Sequence, residues 1–302
     1  MKLSQEKKME LAVKLRAPAN LPFEIPEGYT DVEDRVTVKT LKIPTSVGEN
    51  TSYLVEKKGG AENDVLIVNI HGGGFVQPHN PWDTYLCDYY AADLGCKVLD
   101  IDYQTCPEVM FPTPMIECYE VVQWAMAHAA ELGIDPDKVV VGGNSAGATL
   151  SAAVCLKANE QGGKMPAMML LIYPAADAFI TPESDKFLEE ELDLTKLETR
   201  GILYNSMFTD NDPALADNVY LNLGLLTEED AQNFPETVVI TAAKDYLRVS
   251  GEKLAAKIAS SGARVTLQRF MNSAHGFYAR CSGDWKEARA LVYESIQRKF
   301  KI

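Results

Sequence analysis

The stretch "VVVGGNSAGATL", residues 139–150, runs from a β-branched apolar strand through two glycines into a helix-forming segment. Within it, Gly143-Asn144-Ser145-Ala146-Gly147 is a G-x-S-x-G sequence whose serine falls at the strand-to-helix turn. In that setting the serine occupies a sharp, strained turn that only small neighbours permit. Its hydroxyl then projects from the top of a sheet at a helix N-terminus. G-x-S-x-G alone is common. With a strand before it and a helix after it, the motif predicts a nucleophile rather than an N-cap serine in a glycine-rich turn.

Working outward, strand-like runs recur at 35–43, 51–57, 64–70, 97–103, 138–143, 167–173, 237–243 and 264–270. The first two flank the turn signal "PTSVGEN" and predict an antiparallel pair. The later six are continuously apolar, as expected of parallel strands covered on both faces. Helical patterns at about 82–94, 114–132, 146–160, 248–261 and 284–299 lie between them. This alternation predicts an α/β fold with a mostly parallel sheet and right-handed crossovers. Residues 173–235 break the alternation with an insertion of mixed helical character, in which 211–218 reads as a turn. With the amphipathic N-terminal stretch, that insertion is expected to cap the carboxyl ends of the strands, where open α/β sheets bind ligands.

A serine hydroxyl needs a base to accept its proton. The chain has four histidines: His71, His79, His128 and His275. His128 lies in a helical pattern, and His79 lies in a loop beside Pro78 with no obvious partner. His275, in "MNSAHGFY" after the last strand, is the candidate base. Imidazole in turn needs a carboxylate to fix its tautomer. Asp245 directly follows the preceding strand, whereas Asp210 and Asp212 lie in the insertion. The chain order Ser145, Asp245, His275 is the order of an α/β-hydrolase triad.

Acyl chemistry at Ser145 would place negative charge on a carbonyl oxygen, which fixed backbone N–H groups stabilise. "HGGGF", residues 71–75, ends a stiff strand with three glycines, more than a turn requires. The amides of Gly72 and Gly73, with that of Ala146, are the expected oxyanion donors.

The 302 residues suffice for one large domain. The formal net charge of −14 argues against nucleic acid and anionic membranes as partners. No apolar run approaches the roughly 20 residues needed to span a bilayer. The N-terminus is charged without the apolar centre of a signal peptide, so a cytoplasmic location is expected. The six cysteines show no C-x-x-C spacing, which argues for reduced, mostly buried thiols rather than zinc or a redox pair. The acidic run 183–193 reads as a solvated helix face.

From about residue 64 onward the chain resembles the hormone-sensitive-lipase-like branch of the α/β-hydrolases. "HGGGF" resembles the oxyanion motif, "DYQTCPEVMFPTPMIE" (102–117) the D-Y-R-L-A-P-E-x-x-F-P-A stretch, "GNSAG" the G-D-S-A-G elbow, and "KDYLRVSG" the D-P-L-R-D-E-G segment. The resemblance implies an α/β-hydrolase fold in a single domain, with an eight-stranded sheet and a helical cap from residues 1–30 and 175–232. It also implies a triad of Ser145, Asp245 and His275. Asn144 departs from the usual aspartate, Tyr246 from proline, Val249-Ser250 from an acidic pair and Gln104-Thr105-Cys106 from R-L-A. None of these removes a catalytic group, but all bear on substrate preference.

The expected activity is hydrolysis of short-chain carboxylic esters through an acyl-enzyme, with no metal and no organic cofactor. The expected partner is a small-molecule ester, and homo-oligomers are compatible with the reading. Deacetylation of sugars or hydrolysis of an aryl formamide would use the same chemistry. A non-catalytic receptor on this fold is the competing class, but such receptors typically lose a triad member, and here all three candidates are present.

Overall fold

The β-branched runs pair into one eight-stranded sheet of order β1-β2-β4-β3-β5-β6-β7-β8. A computed structural model of the chain describes residues 3–17, 32–176 and 194–302, with 194–200 as backbone alone. The strands are β1 (Val36–Thr45), β2 (Gly48–Lys57), β3 (Leu66–Ile70), β4 (Lys97–Asp102), β5 (Val139–Asn144), β6 (Met168–Ile172), β7 (Glu236–Lys244) and β8 (Val265–Ala274). β1 and β2 form the expected antiparallel hairpin, and β2 pairs antiparallel with β4. From β4 onward every pairing is parallel.

The helices are α1 (Gln5–Arg16), α2 (Pro81–Leu94), α3 (Thr113–Ala127), α4 (Ala129–Leu132), α5 (Ala146–Gln161), α6 (Leu194–Thr209), α7 (Glu228–Ala231), α8 (Arg248–Ser260) and α9 (Trp285–Phe300). α3, α5 and α8 bury their apolar faces in one core, and α2 and α9 in a second core on the other side of the sheet. Layers on both faces explain why β3 and β6 are buried at every position. β8 departs from the expectation of a strand covered on both faces. It is the sheet edge, and Leu267 and Met271 are exposed along it.

The helical pattern expected over 114–132 is divided at His128, which ends α3. Its Nδ1 lies 2.9 Å from the Trp124 carbonyl oxygen, and its ring stacks on Trp124. The same carbonyl also accepts the His128 N–H at 2.9 Å, so the side chain shares that acceptor with the last backbone bond of the helix. The 211–218 turn holds a short 3₁₀ segment, Pro213–Leu215, capped by Asp212. The acidic run 183–193 and much of the proposed cap lie outside the described residues. Of the residues expected to form the cap, those described include α1 and the segment from α6 to α7.

The strand order fixes what can meet at the carboxyl edge. β3 and β5 are neighbours, so the glycine loop after β3 adjoins the serine turn after β5. β7 and β8 are neighbours, so Asp245 and His275 leave the sheet side by side.

Candidate active site

Ser145 adopts φ 55°, ψ −119° between β5 and α5. A non-glycine residue there is strained, and the surrounding structure must hold it. The Ser145 N–H donates to the Ile172 carbonyl at the end of β6, and the Ser145 carbonyl accepts from Ala148 N–H of α5. The flanking glycines do more than permit the turn. A methyl at Gly147 would sit 2.6 Å from the His71 carbonyl oxygen and closer still to that of Ile70. A methyl at Gly143 would also meet the Ile70 oxygen. Both glycines therefore let the elbow press against the end of β3, where the glycine loop begins.

Ser145 Oγ lies 2.9 Å from His275 Nε2, and His275 Nδ1 lies 2.7 Å from Asp245 Oδ2. Asp245 is buried, and its Oδ1 accepts the Leu247 N–H at 3.0 Å. A carboxylate at Nδ1 holds the proton on that nitrogen and leaves the Nε2 lone pair for the serine hydroxyl. Tyr173 packs edge-on against the His275 ring at 5.0 Å, and Tyr246 lies 6.5 Å from it. The competing carboxylates are engaged elsewhere. Asp210 pairs with Lys8 of α1, and Asp212 accepts from Ala214 N–H.

The glycine loop is oriented through its carbonyls. Tyr103 Oη donates to the His71 carbonyl at 3.2 Å, and His71 Nδ1 lies 2.8 Å from the Gly72 carbonyl oxygen. Burial, then the nearby His79 charge, lowers the His71 pKa to about 4, so the ring is neutral and donates from Nδ1. A trans peptide points its N–H opposite to the preceding C=O. The N–H groups of Gly72 and Gly73 therefore point away from the carbonyls of His71 and Gly72, respectively. Ala146 is the first residue of α5, so its N–H has no acceptor within the helix. Gly73 and Gly74 take φ 104° and 62°, which only glycine adopts without strain.

Residues from the proposed cap rest on this loop. The Tyr204 ring occupies the space that a Gly74 side chain would need, and Phe208 stacks on Phe75 at 4.0 Å. From α1, Arg16 donates to the carbonyls of Val76 at 2.8 Å and Cys106 at 2.7 Å. His71, Tyr103 and Arg16 were not singled out by the sequence. The signal for the first two was their place, at the ends of neighbouring strands β3 and β4.

The loop histidine His79 has a partner after all: its Nε2 lies 2.6 Å from Asp100 Oδ2. Asp100 also accepts from Asn69 Nδ2 at 2.8 Å. A contact between β4 and a loop 21 residues earlier is invisible to local pattern. Burial alone would lower the His79 pKa, but Asp100, with Asp83 and Asp102, raises it to about 9. Among the described residues no group of His, Cys, Asp and Glu could hold a metal ion.

A family model described as the alpha/beta hydrolase fold matches residues 67–279. The chain belongs to the α/β-hydrolase family. The chain is 31% identical over 257 residues to the carboxylic ester hydrolase LipN of Mycobacterium tuberculosis, across 83% of its own length and 65% of that protein's. It is 32% identical over 170 residues to the hormone-sensitive lipase of Bos taurus, across 55% of its own length and 22% of the lipase's. Among solved structures it is similar to carboxyl esterase 2 of the fungus Tuber melanosporum, with a TM-score of 0.79 and 28% identity. That match covers 95% of this chain and 97% of the other. Among the described residues, no helix is long and apolar enough to cross a membrane.

Proposed function

We propose that this α/β-hydrolase is a serine carboxylester hydrolase that cleaves short-chain acyl esters through an acyl-enzyme. The observation that carries the proposal is the relay of Ser145 Oγ, His275 and Asp245 at 2.9 Å and 2.7 Å on a strained strand-to-helix turn. The similarity to proteins named carboxylic ester hydrolase and carboxyl esterase supports the same chemistry.

In this reading His275 Nε2 takes the proton as Ser145 Oγ attacks the acyl carbon. Asp245 stabilises the imidazolium without itself taking the proton. The carbonyl oxygen, now negative, is held by the N–H groups of Gly72, Gly73 and Ala146, each worth about 3 kcal/mol of barrier. His275 returns its proton to the leaving alcohol. A water then repeats the sequence on the acyl-enzyme, with His275 again as base.

The preference for short acyl groups rests on Tyr204, Phe208 and Met207 of α6. Tyr204 and Phe208 lie against the glycine loop, and Met207 and Phe208 are buried. The reading treats residues 1–30 and 175–232 as one cap, and the Lys8–Asp210 ion pair joining α1 to the end of α6 supports that grouping. A cytoplasmic location completes the proposal. All six cysteines are free and five are buried, which fits a reducing compartment.

The test is pre-steady-state hydrolysis of p-nitrophenyl butyrate beside acetylated sugars and an aryl formamide. A stoichiometric p-nitrophenol burst with faster ester turnover is expected. Exclusive turnover of the sugar acetate or the formamide would move the substrate assignment.

A further inference from the structure

Asn144 is the last residue of β5, immediately before Ser145, and it is buried. Its amide faces two ways. Oδ1 lies against Gly72, where a methyl would collide with it and would also come 2.8 Å from the Asn144 carbonyl oxygen. Nδ2 lies 3.4 Å from Asp83 Oδ1. Asp83 sits in the first turn of α2, itself buried, and its Oδ2 accepts the Asn80 N–H at 3.3 Å in a capping box. The loop carrying the glycines is thus fixed at β3, at the α2 cap, and between them by the Asn144 side chain.

We propose that Asp83 is a positioning residue that acts through the Asn144 amide to set the nucleophile elbow against the Gly72 oxyanion amide. This inference rests on the esterase reading above and adds a residue pair to it. The chemistry explains why the family's aspartate is an amide here. An amide at position 144 offers a donor to Asp83 while its uncharged oxygen packs against Gly72. A carboxylate at position 144 would face a second buried carboxylate, and like charges that close cannot both ionise, so the pair would need to share a proton.

The surroundings sharpen that conflict. Burial pushes the Asp83 carboxyl up to about 7, opposed by the His79 charge and by the Asn144 and Asn80 donors, and reinforced by Asp100. The ionisable groups facing Asp83 are His79 in the loop, Asp100 on β4, Cys87 one turn along α2, Tyr103 after β4 and Tyr173 after β6. His79 is the only cation among them, and it is already paired with Asp100.

The experiment compares Asn144→Asp, Asp83→Asn and the exchanged pair Asp83→Asn/Asn144→Asp with wild type. Steady-state hydrolysis of p-nitrophenyl butyrate is followed from about pH 5.5 to pH 8.5, with melting temperature measured alongside. Relative to wild type at the same pH, Asn144→Asp should lose kcat about tenfold or more at the alkaline end, with KM within about twofold, and that ratio should recover toward acid as the shared proton returns, although His275 protonation lowers both rates there. The exchanged pair holds one acid and one amide again, so its kcat should return to within about threefold of wild type and lose the acid-side recovery. If Asn144→Asp fails to fold, the exchanged pair alone decides, since it should restore both melting temperature and kcat. Wild-type kcat in Asn144→Asp across the whole range, or an exchanged pair no better than Asn144→Asp, would overturn the proposal. Wild-type turnover that depends on Ser145 in the same assay keeps the outcome separate from the esterase reading.

Discussion

Gly147, two residues after the candidate nucleophile, lies directly against the carbonyl oxygen of Ile70, the last residue of β3. That contact joins the serine turn to the glycine loop, and no side chain fits within it. Gly147→Ala is expected to reduce kcat at least about 100-fold and to destabilise the fold by roughly 1–3 kcal/mol, since the obstacle is backbone that cannot rotate away. Gly201→Ala in α6, where a methyl meets nothing within 4 Å, should be neutral or slightly stabilising. Kinetics and thermal melts of the two variants check this. An active, stable Gly147→Ala would refute the packing account.

Ser145→Ala should remove ester hydrolysis by on the order of 10⁴-fold or more while leaving the melting temperature near wild type. His275→Ala should cost a similar factor, and the double variant no more than either, because the groups act as a unit. Asp245→Asn should be comparable or milder, while Asp210→Asn and Asp212→Asn should keep near-wild-type kcat. Loss confined to Asp210 or Asp212 would reassign the acid.

The Tyr204 ring closes the space above Gly74. Tyr204→Ala should therefore raise kcat/KM for octanoyl relative to butyryl p-nitrophenyl esters by roughly tenfold, the scale that a few methylenes gain in a hydrophobic pocket. An unchanged chain-length profile would place the acyl group elsewhere.

His79 predicts a pH-dependent stability. Its folded pKa of about 9 stands above the ordinary 6.5 because of Asp100 and its acidic neighbours. The folded chain therefore holds the proton more tightly than the unfolded one. The stabilisation, on the order of 3 kcal/mol, is complete below about pH 6.5 and is lost as pH rises through about 9. The stability difference between wild type and His79→Gln in urea titrations should be largest near pH 6 and shrink toward pH 9.5. A difference independent of pH would show that the pair does not carry the charge assigned to it.

The sheet was legible in the sequence because its strands are local apolar runs. Even the antiparallel entry hairpin followed from "PTSVGEN". The exposed face of β8 was not legible, since strand order is set by crossovers rather than by any residue in 265–274. Ser145, His275 and Asp245 could be named because each directly follows or ends a strand at the same edge. His71 and Tyr103 act through backbone carbonyls, and the Asp83–Asn144 and His79–Asp100 pairs bridge separate elements. Such contacts leave no periodic trace. Gly143 and Gly147 were recognised as necessary, but the reason, a carbonyl of the neighbouring strand, needed the fold.

The central claim is that Ser145 is a nucleophile activated by His275. The most direct measurement is the mass of the protein after reaction with a fluorophosphonate, followed by mapping of the modified peptide. The account predicts one phosphonyl group per chain, on Ser145, absent in Ser145→Ala and formed far more slowly in His275→Ala. Esterase activity that survives with Ser145 unlabelled, or a label on any other residue, would contradict it.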